Sequence, residues 1–233
     1  MVSVIIPTTD KEKAMLDKSI DALNMSTYRD IEIIVVNEGA ERSVQRNIGI
    51  SRAKGEYIMY LDTDQQVSSG LIGECVRLCE HGFSSVYIPE QITTPGFFGR
   101  LRNWERQFYT ATAIDCVRFI KRENCPFFDE SISGPEDSIH DRMVTGFKAI
   151  SRNVLYHEDN VGVVDYFKKK IYYAKSMGKF AEKYPHDKVL KFWWRCFGVF
   201  MENGKHKRVL RNPGLFLLTM LLIFSRGVIY VVR

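Results

Sequence analysis

Short apolar segments alternate with amphipathic segments along the first 80 residues of the chain. Three nearly continuous apolar segments predict buried strands: Val2–Pro7, Ile31–Val36 and Tyr57–Leu61. The segments between and after them carry apolar residues at helical spacing or end in helix-stop residues, and they predict helices: Glu12–Leu23, Arg42–Lys54 and Leu71–Cys79. Strands and helices that alternate in this order predict an α/β fold with a mostly parallel, doubly wound sheet.

The pattern is less regular from residue 86 to residue 157. Short apolar segments predict three further strands: Val86–Pro89, Val117–Lys121 and Ala149–Tyr156. A helix is predicted over Phe97–Thr112, and another from Gly134 to about Thr145. A proline followed by two acids, as in Pro135-Glu136-Asp137, is typical of a helix N-terminus.

Two carboxylates follow the third strand directly. Asp62 and Asp64 are one residue apart, and a strand with a period of two would place them on the same side. In an open α/β sheet, ligands bind beyond the carboxyl ends of the strands. Two hard oxygen ligands at this place can hold Mg²⁺ or Mn²⁺ against a diphosphate. The alternative interpretation is a solvated turn.

The composition is that of a folded protein with 233 residues, enough for one sizeable domain with additional elements. The five cysteines are odd in number and irregular in spacing, so we expect reduced thiols in a cytosolic setting. The first segment, Met1–Pro7, is too short and lacks the basic start of a signal peptide.

Charge divides the chain at residue 165. Residues 1–165 carry a net charge of −7, whereas residues 166–233 carry a net charge of +12. We therefore predict two regions, an N-terminal catalytic domain (1–165) and a basic, helical C-terminal region (166–233).

The C-terminal region combines basic and aromatic residues with a strongly apolar end, Leu215–Val232. Basic residues with aromatic platforms also suit nucleic acid, but the apolar end favours an anionic membrane surface. We therefore expect no nucleic-acid partner. Arg226 leaves open whether the segment spans the membrane or lies in its plane. A further alternative is that the segment packs on the catalytic domain or on a second copy of the chain, as a homo-oligomer.

Five short motifs follow one another in the chain. They are Pro7-Thr8, Asn37-Glu38-Gly39, Arg46-Asn47, Leu61-Asp62-Thr63-Asp64 and Glu136-Asp137. In this order, over roughly residues 1–160, they resemble glycosyltransferase family 2. The resemblance implies the GT-A fold of nucleotide-diphospho-sugar transferases and the inverting transfer of a sugar from a nucleotide sugar.

The resemblance also implies site residues. A nucleotide sugar would be bound by residues at or beside the first three motifs and by two residues of the fourth: Pro7, Thr8, Thr9, Asn37, Glu38, Arg46, Asn47, Asp62 and Thr63. Mn²⁺ or Mg²⁺ would be held by Asp62, Asp64 and His157. Asn37 stands where the family usually has aspartate, which leaves the base preference open because an amide donates as well as accepts. His157 has a surface histidine as its alternative interpretation.

The acidic pair of the last motif is the candidate catalytic group. An acceptor hydroxyl must lose its proton as it attacks the sugar, and a carboxylate within hydrogen-bond reach can take it. Asp137 is the expected base, and Glu136 would orient the acceptor or Asp137. The alternative is that both acids only complement the helix N-terminus.

The sequence therefore predicts an inverting, metal-dependent glycosyltransferase at the cytoplasmic side of the cell membrane. It would use a nucleoside-diphosphate sugar as donor and a hydroxyl of a lipid-linked glycan as acceptor. Two alternatives remain: transfer to a polyprenyl phosphate, which needs no base, and a non-catalytic, membrane-associated binding module.

Overall fold

The computed structural model describes residues 1–159 and 162–231. The strands are β1 (Val2–Pro7), β2 (Ile31–Val36), β3 (Tyr57–Tyr60), β4 (Gln65–Val67), β5 (Ser85–Tyr87), β6 (Glu90–Ile92), β7 (Phe119–Lys121), β8 (Lys148–Ile150) and β9 (Leu155–His157). The helices up to residue 143 are α1 (Lys13–Asn24), α2 (Arg42–Arg52), α3 (Leu71–Glu80), α4 (Gly96–Arg106) and α5 (Glu136–Met143).

The main sheet has the order β2-β1-β3-β7-β5-β8. β1 pairs in parallel with β2 and β3, and β5 pairs in parallel with β8. β7 runs antiparallel to its neighbours β3 and β5. The predicted, mostly parallel α/β sheet is confirmed in this form, as a mixed sheet with one inserted antiparallel strand among the described residues.

The first strand is buried on both faces, as its apolar sequence predicts. All six residues of β1 are buried, with α2 covering one face. Gly49 makes the close approach of that helix feasible, because a Cβ atom there would lie 2.3 Å from Cγ2 of Ile5. Any larger residue at this position would push α2 away from the sheet.

The prediction of a single strand over Ala149–Tyr156 is wrong. The segment forms β8 in the main sheet and β9 in a second sheet of order β4-β9-β6. Glu74 fixes the turn between them, because its carboxylate accepts hydrogen bonds from Ser151 Oγ and from the backbone N–H groups of Arg152 and Asn153. The turn sends β9 toward β4, which follows Asp62 and Asp64 directly.

The helix predicted over Phe97–Thr112 is too long, because α4 ends at Arg106. Asp115 stabilises the turn that follows by accepting a hydrogen bond from the backbone N–H of Ala111 at 2.8 Å, where φ is +56°. From the C-terminal region, Lys205 Nζ donates to the carbonyl oxygens of Phe108 and Thr110. Side chains distant in sequence therefore set this helix end.

The C-terminal region is helical, as predicted, and it packs on α4. Its helices are α6 (Val163–Ala174), α7 (Met177–Lys183), α8 (Val199–Met201), α9 (His206–Arg211) and α10 (Pro213–Val231). The predicted boundary at residue 165 falls inside α6. Trp104 and Phe108 share one buried cluster with Phe200, Met220 and Ile223.

An ion pair joins α10 to the same helix. The guanidinium of Arg226 donates to Glu105, which is fully buried and is also contacted by Arg102 at 2.5 Å. Burial alone would raise the pKa of Glu105, but the charges of Arg226 and Arg102 lower it to about 2. This face of α10 therefore packs on the catalytic domain, as one of the alternative interpretations of the apolar end predicted.

The opposite face of α10 is apolar and exposed. Leu217, Leu221 and Val228 are 63%, 58% and 62% exposed. Across residues 1–159 and 162–231, no helix combines the length and the apolar character needed to cross a membrane. Val232, the last residue of the predicted apolar segment, lies outside the described residues.

Candidate active site

A cleft of about 240 Å³ lies beyond the carboxyl end of β3. We call it the central cleft. Its charged lining comes from the sheets, from α2, α4 and α5, and from the C-terminal region: Arg42, Asp62, Glu90, Arg102, Arg106, Arg118, Glu136, Asp137, His157, Asp159, Lys169, Lys170 and Arg195. Four of the predicted site residues, Asp62, Glu136, Asp137 and His157, therefore face one space.

Arg46 connects two of the predicted motifs. One of its guanidinium nitrogens lies 3.0 Å from Asp62 Oδ1 and another lies 2.5 Å from Asp137 Oδ1. The Arg46 side chain is 1% exposed, and its guanidinium lies 5.0 Å from the ring centre of Phe128. A planar fork with several donors suits this bridge between two carboxylates.

Asp62 is ionised at the base of the cleft. Burial alone would raise the pKa of its carboxyl, but the guanidinium groups of Arg46, Arg42 and Arg118 hold that pKa well below its usual value. Arg42 and Arg118 were not predicted. Arg42 lies four residues before Arg46, so both occupy one face of α2, and this spacing was the available signal.

Asp64 contacts His157, which ends β9. His157 Nε2 lies 3.2 Å from Asp64 Oδ2, and Nδ1 lies 3.2 Å from Glu90 Oε2. Burial would lower the pKa of His157, but the hydrogen bonds to Asp64 and Glu90 raise it to about 9. The structure thus places Asp64 and His157, two of the predicted metal ligands, side by side.

These residues fit a divalent cation with open positions. Asp64 offers an oxygen donor, and His157 beside it offers a nitrogen donor once its Nε2 releases the proton that the raised pKa favours. Mg²⁺ is commonly bound by one or two carboxylates plus substrate phosphates. Asp62 is engaged by Arg46 instead. Within the described parts of the chain, no group of three histidine, cysteine, aspartate or glutamate side chains forms a complete metal site. The metal site stays a prediction.

The acidic pair lies at the start of α5, after a turn at Gly134 with φ of +98°. The Asp137 side chain is 32% exposed and faces the cleft. Glu136 is buried, and its Oε2 atom has no hydrogen-bond partner in the described structure. Burial and the neighbouring Asp137 raise the pKa of Glu136 to about 7, although Arg46 opposes the shift.

The raised pKa of Glu136 predicts a pH dependence of stability. Folding raises this pKa from 4.5, so the stability contribution is fully present below pH 4.5 and is lost as the pH rises through 7. Glu136→Gln mimics the protonated form at every pH. We compare the free energy of unfolding of the variant with that of the wild type at two pH values. The difference in favour of the variant should be larger at pH 8 than at pH 5 by about 2 kcal/mol. Urea unfolding at both pH values measures this difference.

Glu182→Gln, at an exposed position on α7, is the matched control and should leave the difference constant. A constant difference for Glu136→Gln would contradict the raised pKa of Glu136.

The other predicted residues lie at the same edge of the sheet. Pro7 pairs with Val36 in parallel register, so the loops that begin at Thr8 and Asn37 leave the sheet together. Asn37 and Glu38 are exposed, and Glu38 pairs with Arg52 at 2.5 Å. Their binding roles, like those of Pro7, Thr9 and Thr63, stay predictions.

Asn47 forms two hydrogen bonds with the backbone of Phe128. Its amide oxygen accepts a hydrogen bond from the backbone N–H of Phe128 at 2.7 Å, and its Nδ2 donates to the Phe128 carbonyl oxygen at 3.0 Å. It therefore positions the ring that packs on Arg46. The cleft residues of the C-terminal region, Lys169, Lys170 and Arg195, were not predicted, since their charge alone gave no indication of which face they occupy.

The family model and the curated relatives that match this chain all describe glycosyltransferases. The family model described as glycosyl transferase family 2 matches residues 41–155. A curated relative from Campylobacter jejuni, named GalNAc(5)-diNAcBac-PP-undecaprenol beta-1,3-glucosyltransferase, is 24% identical over 37% of this chain and 37% of its own length. The uncharacterized glycosyltransferase EpsJ of Bacillus subtilis is 33% identical over 59% of this chain and 54% of its own. The chain thus spans about half or less of these relatives.

Solved structures agree on the fold. The crystal structure of S. aureus TarS has a TM-score of 0.53 and 13% identity, covering 74% of this chain and 39% of TarS. The structure of TarS residues 1–349 in complex with UDP-GlcNAc has a TM-score of 0.52 and 16% identity, covering 75% of this chain and 66% of the other.

Proposed function

We propose that this chain, a glycosyltransferase of family 2 with a GT-A-like α/β fold, transfers a sugar with inversion to a hydroxyl of a lipid-linked glycan. The donor is a nucleoside-diphosphate sugar. The observation that carries this proposal is the Arg46 bridge, which holds the aspartate at the end of β3 and the acidic pair of α5 at one cleft. Asp62, proposed to bind the donor, and Asp137, proposed to accept the proton, therefore face the same cleft.

The chemistry needs a base on the acceptor side. The acceptor oxygen bonds to the anomeric carbon while the bond from that carbon to the diphosphate oxygen breaks. Asp137 takes the acceptor proton on its carboxylate, where Arg46 fixes Oδ1 and so orients Oδ2. Attack on the face opposite the departing diphosphate gives inversion.

The donor side carries compensating charge. Arg42 and Arg118 lie near Asp62, where a nucleoside diphosphate would leave. We propose that Asp64 and His157 hold Mn²⁺ or Mg²⁺ there. Asp62, which Arg46 holds in position, would bind the nucleotide sugar. When bound, the ion would neutralise charge on the departing diphosphate.

A lipid-linked acceptor at the cytoplasmic side of the cell membrane is supported by two observations. The Campylobacter relative is named for a PP-undecaprenol substrate. In this chain, the exposed apolar face of α10 follows a basic segment with the exposed residues Lys207, Arg208 and Arg211. Each Lys or Arg near an anionic surface contributes about 1 kcal/mol, so this face would hold the cleft close to lipid.

A second candidate is transfer to a polyprenyl phosphate. Lys169, Lys170 and Arg195 line the cleft, and none of them forms an ion pair with a carboxylate in the described structure. Such cations would suit an ionised lipid phosphate that needs no base.

Nucleotide binding tests the proposal. UDP, GDP, CDP and dTDP are each added with and without Mn²⁺, and the melting temperature is measured. A ligand at one hundred times its Kd adds about 2.7 kcal/mol, or about 5–10 °C at this size. We expect one diphosphate to give this shift with Mn²⁺, and Asp64→Ala to abolish the metal-dependent part.

Asp21→Ala, at an exposed aspartate of α1 away from the cleft, should keep the full shift. No shift with any of the four diphosphates would overturn the donor site and favour a non-catalytic binding module.

A further inference from the structure

Three hollows adjoin one another between the sheet and the C-terminal region. The first is the central cleft. The second is a small pocket of about 70 Å³ beside α10, and the third is a surface groove of about 710 Å³ along α7. Arg195 lines all three, and Lys170 lines the first two. Met177 and Val189 line both the cleft and the groove. The three hollows therefore adjoin one another, from the cleft with the acidic pair to the surface groove, and we call them together the path.

The chemistry of the path changes along its length. The central cleft is lined mostly by charged residues. The groove along α7 is lined mainly by apolar ones, including Ala174, Met177, Ala181, Leu190 and Phe192. An apolar groove that opens into a charged cleft matches a ligand with an apolar tail and a polar head.

Two cations mark the transition. Lys170 and Arg195 form no ion pair with a carboxylate in the described parts of the chain, and Lys170 lies over the rings of Tyr166 and Tyr173 at 5.3 and 5.6 Å. Burial and the charges of Arg102 and Arg226 hold the pKa of Lys170 well below its usual value. An anion bound here would relieve this repulsion.

We infer that the path is the acceptor site, with the prenyl chain in the groove along α7 and the phosphate or diphosphate between Lys170 and Arg195. This inference rests on the proposed glycosyltransferase function and names its acceptor class as an anionic prenyl lipid. The glycan or phosphate oxygen to be glycosylated then extends toward Asp137. A membrane phospholipid with two acyl chains fits the single groove less well.

Short, soluble probes test the site in the full chain. Farnesyl diphosphate, farnesyl phosphate, inorganic pyrophosphate and farnesol are titrated calorimetrically in the presence of Mn²⁺ and a saturating concentration of the nucleoside diphosphate that gives the largest melting shift, so that the donor site is filled. We expect farnesyl diphosphate or farnesyl phosphate to bind at least tenfold more tightly than pyrophosphate or farnesol. The ratio between the two prenyl probes identifies whether the head is a diphosphate or a monophosphate.

Two variants distinguish binding of the lipid's phosphate head from binding of its prenyl chain. Lys170→Ala with Arg195→Ala should weaken prenyl phosphate binding at least tenfold and leave farnesol binding unchanged. Gly178→Leu should reduce farnesyl diphosphate binding to the level of pyrophosphate, because a side chain at Gly178 meets no protein atom within 4 Å and projects into the open groove. Matched controls are Lys179→Ala, exposed on α7, and Gly214→Leu, where a side chain also meets nothing within 4 Å.

Equal binding of farnesyl diphosphate and pyrophosphate, or unchanged binding by Gly178→Leu, would overturn the inference. If the probes bind as expected but no sugar is transferred to any acceptor, the proposed function fails while the site stands. If transfer to a prenyl-linked acceptor occurs and Gly178→Leu leaves its KM unchanged, the site fails while the function stands.

Discussion

Replacing Asp137 with asparagine is expected to lower kcat by about 10²–10⁴ with a hydroxyl acceptor, because general-base catalysis typically contributes that much. The amide keeps the shape of the side chain and can still accept a hydrogen bond from Arg46, which lies 2.5 Å from Oδ1 in the wild type. It cannot take the acceptor proton. Initial rates at saturating donor, with product separated from nucleotide, measure the loss.

The control is Asp165→Asn, whose side chain is 68% exposed at the start of α6 and which should change kcat less than twofold. Thermal unfolding should show that Asp137→Asn is folded. Full activity of Asp137→Asn with the hydroxyl acceptor would contradict the role of Asp137 as base. If the enzyme transfers sugar only to a lipid phosphate and the substitution leaves that rate unchanged, the second candidate function is favoured, since a phosphate is already ionised.

Loss of Arg46 is expected to have the largest effect on stability. Arg46→Met leaves Asp62 and Asp137 without the guanidinium between them. Breaking a buried ion pair on one side costs about 3–5 kcal/mol, because the remaining charge stays buried without its partner. Since Arg42 and Arg118 still neutralise part of the charge on Asp62, we expect a value at the lower end. Guanidinium chloride unfolding measures it.

Arg52→Met is the matched control on the same helix. Arg52 pairs with Glu38, but their side chains are 49% and 57% exposed, so the loss should stay below about 1 kcal/mol. Arg46→Lys should lie between the two, because an ammonium keeps the charge but not the fork that reaches both carboxylates. Equal stability of Arg46→Met and Arg52→Met would contradict the central role of this bridge.

The positions of the first three strands and of the acidic motifs were predictable from local sequence. β1, β2 and β3 are nearly continuous apolar segments, and the polar residues that follow them reach one edge because parallel strands end together. Asp62 and Asp137 needed no long-range information to be identified as candidates. Their connection through Arg46 did, because a residue in an Arg-Asn motif gives no indication of which carboxylates it contacts.

Other features depended on contacts between residues distant in sequence. The turn between β8 and β9 is held by Glu74 on α3, and the end of α4 is held by Asp115 and Lys205. Strands of three residues, such as β4 and β6, are too short to show a period. The cleft contribution of Lys170 and Arg195 follows from how the C-terminal region folds back on α4, which composition does not determine.

The arrangement of α10 has a consequence for handling the protein. Its one charged side chain, Arg226, points inward to Glu105, while Leu217, Leu221 and Val228 point outward. The helix is therefore apolar on its exposed face as well as on the face where Met220 and Ile223 pack in the buried cluster with Trp104. Because this strip is exposed in the part of the chain that the structure describes, we expect the protein to self-associate less in buffer with a mild detergent than in buffer without one.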